Sequence, residues 1–215
     1  MRSPTSADLT SVDERATFIG ATAMKVLLVG QNTKLINLNS GTERMLGGNI
    51  TGCVVYLPDN GYWTGLNACD TTLRYYGPGR DVDIATDDQN NTITVTPTTA
   101  ETLQEALNLA TTFKSAFGLD TRISVTNRIA SAVSIPASAY SNVMFDLHSW
   151  VTFNVTTQTQ LENTLAAISS DSMLIVDPTG ATENLTVPEG RQVFVVLKEG
   201  DAIRRRLNGF TIRFQ

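Results

Sequence analysis

The chain has 215 residues, of which 41% are hydrophobic and only 17% charged, against about 25% charged residues in a typical soluble domain. That hydrophobic content supports a folded core and excludes global disorder. A net charge of -5 argues against a nucleic-acid binder with a broad basic face, and no apolar run approaches the ~18 residues of a membrane span. We therefore expect neither a membrane nor direct nucleic-acid binding.

The first 23 residues, 1–23, form a predicted N-terminal arm. Their polar start has little core-forming power and lacks the apolar region of a secretory signal. Ser11 and Glu14 have the spacing of a helix capping box, which predicts a short helix there. Polar termini are usually disordered unless something holds them, so we expect the arm to anchor the chain on a partner surface.

A β-rich subdomain is predicted for residues 24–91. Residues 23–30 (AMKVLLVG) have the pattern of a buried strand, and the glycines of a phosphate-binding loop do not follow it. Beyond this strand, glycines separate short apolar runs, which predicts a meander of strands. The Asn60-Gly61 pair follows one such run and is typical of a hairpin turn.

Residues 92–215 contain a predicted duplication, with copies at 92–149 and 150–215. Each copy opens with a strand, a Thr-Thr pair and a helix with matching leucines, so that Leu103 and Leu107 align with Leu161 and Leu165 without a gap. Short strands bounded by turns follow each helix. This rhythm is typical of a solenoid, in which each coil buries its apolar face only by stacking on the next.

Local signals place the two helices and the strands that follow them. Thr98 with Glu101, and Thr157 with Gln160, have capping-box spacing, and Gly118 supplies a helix stop. The strands predicted after the helices span residues 123–125, 132–135, 143–147, 173–176, 184–187, 193–197 and 210–214.

The run TTQTQLENTLAAI…MLIVDPTG…LTVPEGRQVFVVLKEGD…LNGFTIRF resembles right-handed parallel β-helix domains, which are frequent in tailspikes, fibres and other surface proteins of tailed bacteriophages. The resemblance covers roughly residues 92–215. It implies a mainly β chain with two helices (α+β), in which the arm and meander precede a short right-handed parallel β-helix. Two tandem α+β modules with helices on a shared sheet are the alternative fold.

This resemblance implies a non-enzymatic structural protein located in the virion. The chain would be a capsid decoration, fibre-base or tail component that self-assembles as a homo-oligomer such as a trimer. Its arm would dock on another virion protein, such as a capsid or tail protein, and no cofactor is expected. Two other functions stay open: a carbohydrate-binding or carbohydrate-cleaving tailspike-like module, and a tail-tube or baseplate ring subunit.

A basic cluster and several aromatic residues are the interface candidates. Arginine forms paired bonds to carboxylates, so the cluster is suited to an acidic loop of a neighbouring subunit. Aromatic residues dominate interface burial, although with Tyr56 they could equally stack on sugar rings. The interface candidates are Arg204, Arg205, Arg206, Tyr62, Trp63, Tyr75 and Tyr76.

The acidic loop RDVDIATDDQNN supplies weak candidates for metal binding. Carboxylate oxygens suit Ca²⁺, but the spacing is not that of an EF-hand, so we expect a solvated acidic loop without a metal. The four carboxylates are Asp81, Asp83, Asp87 and Asp88.

The remaining chemical candidates favour no reaction. His148 lies two residues from Asp146 without an identifiable nucleophile, which predicts a packed or surface histidine. Cys53 and Cys69 are too few for a disulfide framework or a zinc site, and whether they pair stays open. Glycosidase chemistry needs two suitably spaced carboxylates. No pair stands out among Asp146, Asp171, Asp177, Glu183, Glu189 and Asp201.

Overall fold

The computed structural model shows a mainly β chain with two helices, which confirms this part of the predicted fold class. The structure describes residues 6–9, 25–30, 34–36, 52–59, 62–64, 71–134, 142–196, 203–207 and 211–212. The predicted helix of the arm lies outside these residues.

Seventeen strands and two helices make up the described chain. The first eight strands are β1 (Ser6–Leu9), β2 (Val26–Val29), β3 (Lys34–Ile36), β4 (Val54–Pro58), β5 (Tyr62–Thr64), β6 (Thr72–Tyr76), β7 (Val82–Asp87) and β8 (Thr92–Pro97). Helix α1 (Ala100–Phe117) follows, and then β9 (Asp120–Val125), β10 (Ile129–Ser134), β11 (Val143–Leu147) and β12 (Val151–Asn154). Helix α2 (Gln158–Ala167) precedes β13 (Met173–Asp177), β14 (Leu185–Thr186), β15 (Gln192–Val196), β16 (Ile203–Leu207) and β17 (Thr211–Ile212).

The chain divides into two compact units. The first comprises Met1–Ile84 with Thr112–Leu119, and the second comprises Ala85–Thr111 with Asp120–Gln215. The boundary thus falls within β7 and within α1. The domain limits inferred from the sequence, at residues 23, 91 and 149, stay predictions.

Parallel pairing organises the first unit. Its strands run in the order β1-β2-β4-β6-β7, and a separate parallel pair joins β3 to β5. The predicted meander and the hairpin at Asn60-Gly61 are therefore wrong, because β4 and β5 join different ladders instead of each other. The reason lies in burial: Val26–Val29 is buried at every position, which suits a strand between parallel neighbours and covered on both faces.

Two ladders organise the second unit. One has the order β8-β9-β11, and the other has the order β10-β12-β13-β15-β16. All of these pairings are parallel except that of β16, which runs antiparallel to β15. The chain alternates between the ladders as it passes from β9 through β10 and β11 to β12. Phe145 pairs with Ile123 in the first ladder, and Val151 pairs with Ile129 at the start of the second. The register of β10 against β12 then shifts, so that Val133 pairs with Phe153 and the two ladders advance by slightly different lengths of chain.

The apolar core of the second unit consists of columns of stacked side chains. Val95, Ile123 and Phe145 are partners in register, and an isolated parallel bridge adds Ile168. Phe145 meets Phe153 of the other ladder with ring centroids 5.1 Å apart in an edge-on arrangement. Each such side chain is almost fully buried, which stabilises the fold by about 1.5–3 kcal/mol per residue.

The two predicted copies share one topology. In the first, β8, β9 and β11 are neighbours while β10 belongs to another sheet. In the second, β12, β13 and β15 are neighbours while β14 belongs to another sheet. A helix separates the first two strands in each copy. The duplication inferred from the sequence is thus matched by two strand–helix–strand arrangements of the same order.

Both helices begin at a threonine. Thr157 caps α2 in a full capping box, since its side chain accepts from the Gln160 backbone N–H and the Gln160 side chain accepts from the Thr157 backbone N–H. This confirms the predicted cap. Helix α1 begins one residue later than predicted, because the Thr99 hydroxyl accepts the backbone N–H of Thr102 at 3.2 Å. Thr99 and Thr157 are equivalent positions when the two copies are aligned on their leucines.

Helix ends are closed by different means. Gly118 ends α1 as predicted: it has a φ of 76°, which favours glycine, and its N–H donates to the Lys114 carbonyl at 3.0 Å. Arg191, which lies in a turn more than twenty residues further along the chain, caps the C-terminal end of α2. Its guanidinium Nη2 donates to the carbonyls of Leu165 at 2.6 Å and Ile168 at 3.2 Å. These carbonyls lie at the end of the helix, where intrahelical donors are missing.

Candidate functional site

The outward-facing side chains at the end of β11 form an exposed strip. Val143 and Phe145 point into the core because side chains alternate along a strand, and the intervening Met144 is 54% exposed. Trp150 lies beyond the end of the strand, at the corner before β12, and is 52% exposed. We call Met144, Asp146, His148 and Trp150 the β11 strip.

Backbone hydrogen bonds hold the strip in place where the chain turns from β11 to β12. The His148 N–H donates to the Val125 carbonyl at 3.0 Å, and the Trp150 carbonyl accepts the Ile129 N–H at 2.9 Å. Both partners belong to the preceding coil. The exposed tryptophan is therefore carried on a fixed corner instead of a long loop.

A histidine–carboxylate pair occupies the middle of the strip. His148 Nε2 lies 3.1 Å from Asp146 Oδ1, and the two side chains are 60% and 42% exposed. The sequence predicted a packed or a surface histidine, and the structure shows that His148 lies at the surface. An exposed pair of this kind contributes at most about 1 kcal/mol to stability, so both groups are free to exchange partners at small cost.

Each end of the strip borders a cavity. The one at the Trp150 end has a volume of about 130 Å³ and is lined by Leu147, His148, Ser149, Trp150, Val151, Met173 and Ile175. The one at the Met144 end has a volume of about 190 Å³ and is lined by Thr92, Asp120, Thr121, Arg122, Asn142, Val143 and Met144. Arg122 Nη2 lies 3.8 Å from the Met144 sulfur. The strip thus combines two apolar ends with recesses and a charged centre.

Three of the four candidate metal ligands, Asp81, Asp83 and Asp87, accept hydrogen bonds from nearby backbone N–H groups. Asp87 shapes the turn after β7, where its Oδ1 accepts the backbone N–H groups of Gln89 and Asn90. The Asn90 amide donates to Asp87 Oδ2 at 2.7 Å and holds the pKa of Asp87 below its ordinary value. Asp83 accepts the N–H of Ile84 at 2.9 Å. Within the described ranges, no three His, Cys, Asp or Glu side chains are grouped so that they could hold a metal ion.

The other two carboxylates of the acidic loop, Asp81 and Asp88, lie in the turns before and after β7. Asp81 accepts the backbone N–H of Tyr75 at 3.4 Å, across the turn that joins β6 to β7. Asp88 is exposed in the turn after β7.

The aromatic candidates separate into core and surface. Tyr56 is buried, and so is Tyr76, whose hydroxyl donates to the Val29 carbonyl at 2.6 Å. Tyr76 is therefore a core residue and not a surface one, because its polar end is satisfied inside its own unit. Tyr75 is 37% exposed. Tyr62 and Trp63 lie in β5, whose backbone pairs with β3.

The arginine cluster lies in a strand. Arg204, Arg205 and Arg206 occupy the centre of β16 and pair with Val195, Phe194 and Val193 of β15. β16 is the last strand of its ladder among the described strands. The sequence did not indicate that this basic cluster would form a strand at a sheet edge.

Two carboxylates considered for hydrolysis serve local structure instead. Glu183 Oε1 accepts the backbone N–H of Gln158 at 2.6 Å, at the N-terminus of α2, where a negative charge is favourable. Asp177 accepts the N–H of Thr179 at 2.9 Å in a turn. Burial raises the pKa of the Cys53 thiol to about 12, while Cys69 lies outside the described residues.

Comparison of the chain with protein-family models, curated proteins and solved structures finds no match. In the described part of the chain, neither helix has the length and apolar character needed to cross a membrane.

Trp150 and Met144 are the surface residues that the sequence alone did not single out. A period-two pattern across β11 could have indicated Met144, since it stands between the apolar residues Val143 and Phe145, which share the opposite face of the strand. The pattern is interrupted at Ser149, so it gives no signal for Trp150. Exposure of the tryptophan depends on the corner at residues 148–150, which the pattern does not specify.

Proposed function

We propose that the chain is a structural protein of a virus particle that acts by self-assembly and docking instead of catalysis. The observation that carries the proposal is the alternation of the second unit between two parallel ladders. Coils stacked in this way form a repetitive element whose open ladder edges favour contacts with other chains. The tailed-phage surface proteins that the sequence resembles are built on such coils.

The finer fold that we propose is a short right-handed parallel β-helix with a duplicated module. Parallel pairing of successive strands in both ladders, as between Ile123 and Phe145 and between Ile129 and Val151, supports stacked coils. Connections between parallel strands of one sheet are right-handed in about 98% of cases, which supports the handedness. The matching topologies of the two copies support the duplication.

Protection of the ladder edges is consistent with controlled assembly. At β10, the Gln104 side chain of α1 accepts the backbone N–H of Ser134 at 2.9 Å, so an edge donor is already occupied. At the other edge, β16 carries Arg204–Arg206. Charged edge strands resist indiscriminate pairing and select a partner with complementary charge. We therefore propose that Arg204–Arg206 of β16 contact an acidic partner.

The predicted arm has a defined place in the proposed assembly. Ser6–Leu9 pairs in parallel with β2 and is the outermost strand of its ladder among the described strands. Its outer edge is where a capsid or tail protein would add. A chain lacking residues 1–23 that still folds, as judged by thermal unfolding, and still enters particles normally would refute anchoring by the arm.

The decisive experiment is mass spectrometry and antibody labelling of purified particles of the virus whose genome encodes the chain. We expect the intact chain in stoichiometric amounts on the particle, and its absence would refute the proposal. The solution mass of the purified chain, followed by electron microscopy, separates the forms: a trimer favours a fibre-base or decoration role, and a closed ring favours the tail-tube alternative.

Carbohydrate binding is the second candidate, and one observation favours it. Trp150 is half-exposed beside a cavity and next to the His148–Asp146 pair, which offers hydrogen bonds to hydroxyl groups. Binding on a glycan array that disappears in the Trp150→Ala variant would favour this function.

A further inference from the structure

We propose that the cavity beside Trp150 binds the acetamido group of an N-acetylated sugar, while the sugar ring lies against the exposed indole. This inference rests on carbohydrate binding, the second candidate function, and names the class of sugar. It does not depend on the virion role. The cavity has a volume of about 130 Å³ and combines an aromatic surface, an apolar floor and a polar rim.

The apolar floor lies on the outer face of the ladder that contains β12 and β13. Thr152 pairs with Ile175 in register. The next pair, Phe153 and Val176, is fully buried on the inner face. Side chains alternate along a strand, so Met173 and Ile175 share the outer face. Ile175 is nevertheless only 3% exposed, so it lies at the bottom of the cavity that it lines.

The exposed indole supplies a flat apolar surface for the sugar ring. Trp150 is 52% exposed, and its backbone carbonyl accepts the Ile129 N–H at 2.9 Å. The faces of a pyranose ring carry C–H groups, while its hydroxyl groups point outward from the edge. One face of the sugar therefore packs on an aromatic ring while the hydroxyl groups stay hydrated. Because the fold already fixes the corner, little conformational entropy is lost on binding.

The floor of the cavity favours an acetamido group over a hydroxyl group. A hydroxyl placed against Met173 and Ile175 would lose its hydrogen bonds to water without gaining new ones. The methyl of an acetamido group instead buries apolar surface there. An apolar cavity of about 150 Å³ holds benzene, which has more heavy atoms than an acetamido group, so a volume of about 130 Å³ is sufficient.

Polar groups at the rim match the amide of the same substituent. His148 and Ser149 both line the cavity. His148 Nε2 lies 3.1 Å from Asp146 Oδ1, so in the neutral imidazole Nε2–H donates to the carboxylate and Nδ1 is left as an acceptor. In the proposed complex, the amide N–H of the sugar donates to Nδ1, and its amide carbonyl accepts from the Ser149 hydroxyl. Apolar walls with a few polar groups are the usual form of a small-molecule site.

The test titrates the full chain with N-acetylglucosamine and with glucose, in which a hydroxyl group takes the place of the acetamido group. Isothermal titration calorimetry measures the two dissociation constants. We expect N-acetylglucosamine to bind at least about tenfold more tightly than glucose. In saturation-transfer NMR, the acetamido methyl should receive the strongest transfer from the protein, because it is the group buried in the cavity.

Three variants locate the site. Trp150→Ala should weaken the binding of both sugars by about tenfold or more. Met173→Ala should reduce the preference for N-acetylglucosamine, because it removes part of the floor. Met144→Ala is the matched control, since this exposed side chain lines the other cavity, and should leave both dissociation constants unchanged. Thermal unfolding verifies that each variant is folded. If Trp150→Ala does not fold, the comparison of Met173→Ala with Met144→Ala decides.

Specific outcomes overturn the proposal. Equal affinity for the two sugars, lost in Trp150→Ala, refutes the selection of an acetamido group while carbohydrate binding stands. A preference for N-acetylglucosamine that Met173→Ala and Met144→Ala both retain in full refutes the cavity as the site. Binding of neither sugar refutes carbohydrate binding and this inference together, and leaves the virion role to the analysis of purified particles.

Discussion

Replacing Arg191 should loosen the C-terminal end of α2, although this arginine lies far along the chain from the carbonyls that it binds. Its guanidinium makes hydrogen bonds of 2.6 Å and 3.2 Å to Leu165 and Ile168. A hydrogen bond from a charged donor contributes about 1.5–3 kcal/mol. The buried Arg191 Nε has no hydrogen-bond partner among the described residues, which offsets about 1 kcal/mol of that gain.

We therefore expect Arg191→Met, which keeps the aliphatic stem but leaves both carbonyls unsatisfied, to lower the free energy of unfolding by about 2–4 kcal/mol. Arg191→Lys keeps the charge but not the planar fork, so it should retain about half of the effect. Urea unfolding followed by circular dichroism measures both. Arg128→Ala is the matched control, since this arginine is exposed, and should change stability by less than about 0.5 kcal/mol.

The reasoning would be refuted by an Arg191→Met variant as stable as the Arg128→Ala control. Amide hydrogen exchange adds a local readout, because loss of the cap should increase exchange most in the last turn of α2. Uniformly faster exchange throughout the second unit would point to a global packing effect instead of a cap.

Three other substitutions or reagents test separate features. Thr121→Val should raise the free energy of unfolding by about 1 kcal/mol, because the Thr121 hydroxyl is buried without a hydrogen-bond partner in the described structure; a less stable variant would contradict this. Thr157→Ala should cost about 1 kcal/mol through loss of the capping box, with Thr179→Ala, which changes an exposed turn residue, as the near-neutral control. Cys53 should resist alkylation at pH 8.5 until the chain unfolds, because burial raises its pKa to about 12; rapid modification of the native chain, located by peptide mapping, would argue against that burial.

Features encoded by a few neighbouring residues could be predicted from the sequence. The capping box at Thr157 needs only Gln160 three positions later, and the stop at Gly118 needs only one residue able to adopt a positive φ. The buried strand Val26–Val29 followed from its unbroken apolar run. In each case the determining contacts lie within one turn or one strand.

Features set by distant partners could not be predicted in the same way. The Asn60-Gly61 pair is a strong local hairpin signal, yet the strand before it, β4, pairs with β2 and β6 instead of the adjacent β5. Two buried faces made parallel neighbours more favourable than a local hairpin with one exposed face. The role of Arg191 likewise depends on carbonyls of a helix that precedes it by two strands.

The candidate surface was only partly predictable for a related reason. The sequence shows His148 two residues from Asp146, and the structure places their side chains 3.1 Å apart. Selecting aromatic residues by type favoured Tyr76, which is buried, over Trp150, which is exposed. Residue type alone does not separate a core aromatic from a surface one, because both bury large apolar areas when a partner is present.

The column of Val95, Ile123, Phe145 and Ile168 has a consequence for how the second unit comes apart. Each member pairs along the column only with its neighbour in the next coil, so cohesion between coils is shared between nearest neighbours. Unfolding can then begin at a frayed end and proceed through the unit by one coil at a time. Resistance to proteases and to pulling would depend on whichever terminal coil opens first, and a partner that clamps that coil would protect all the others.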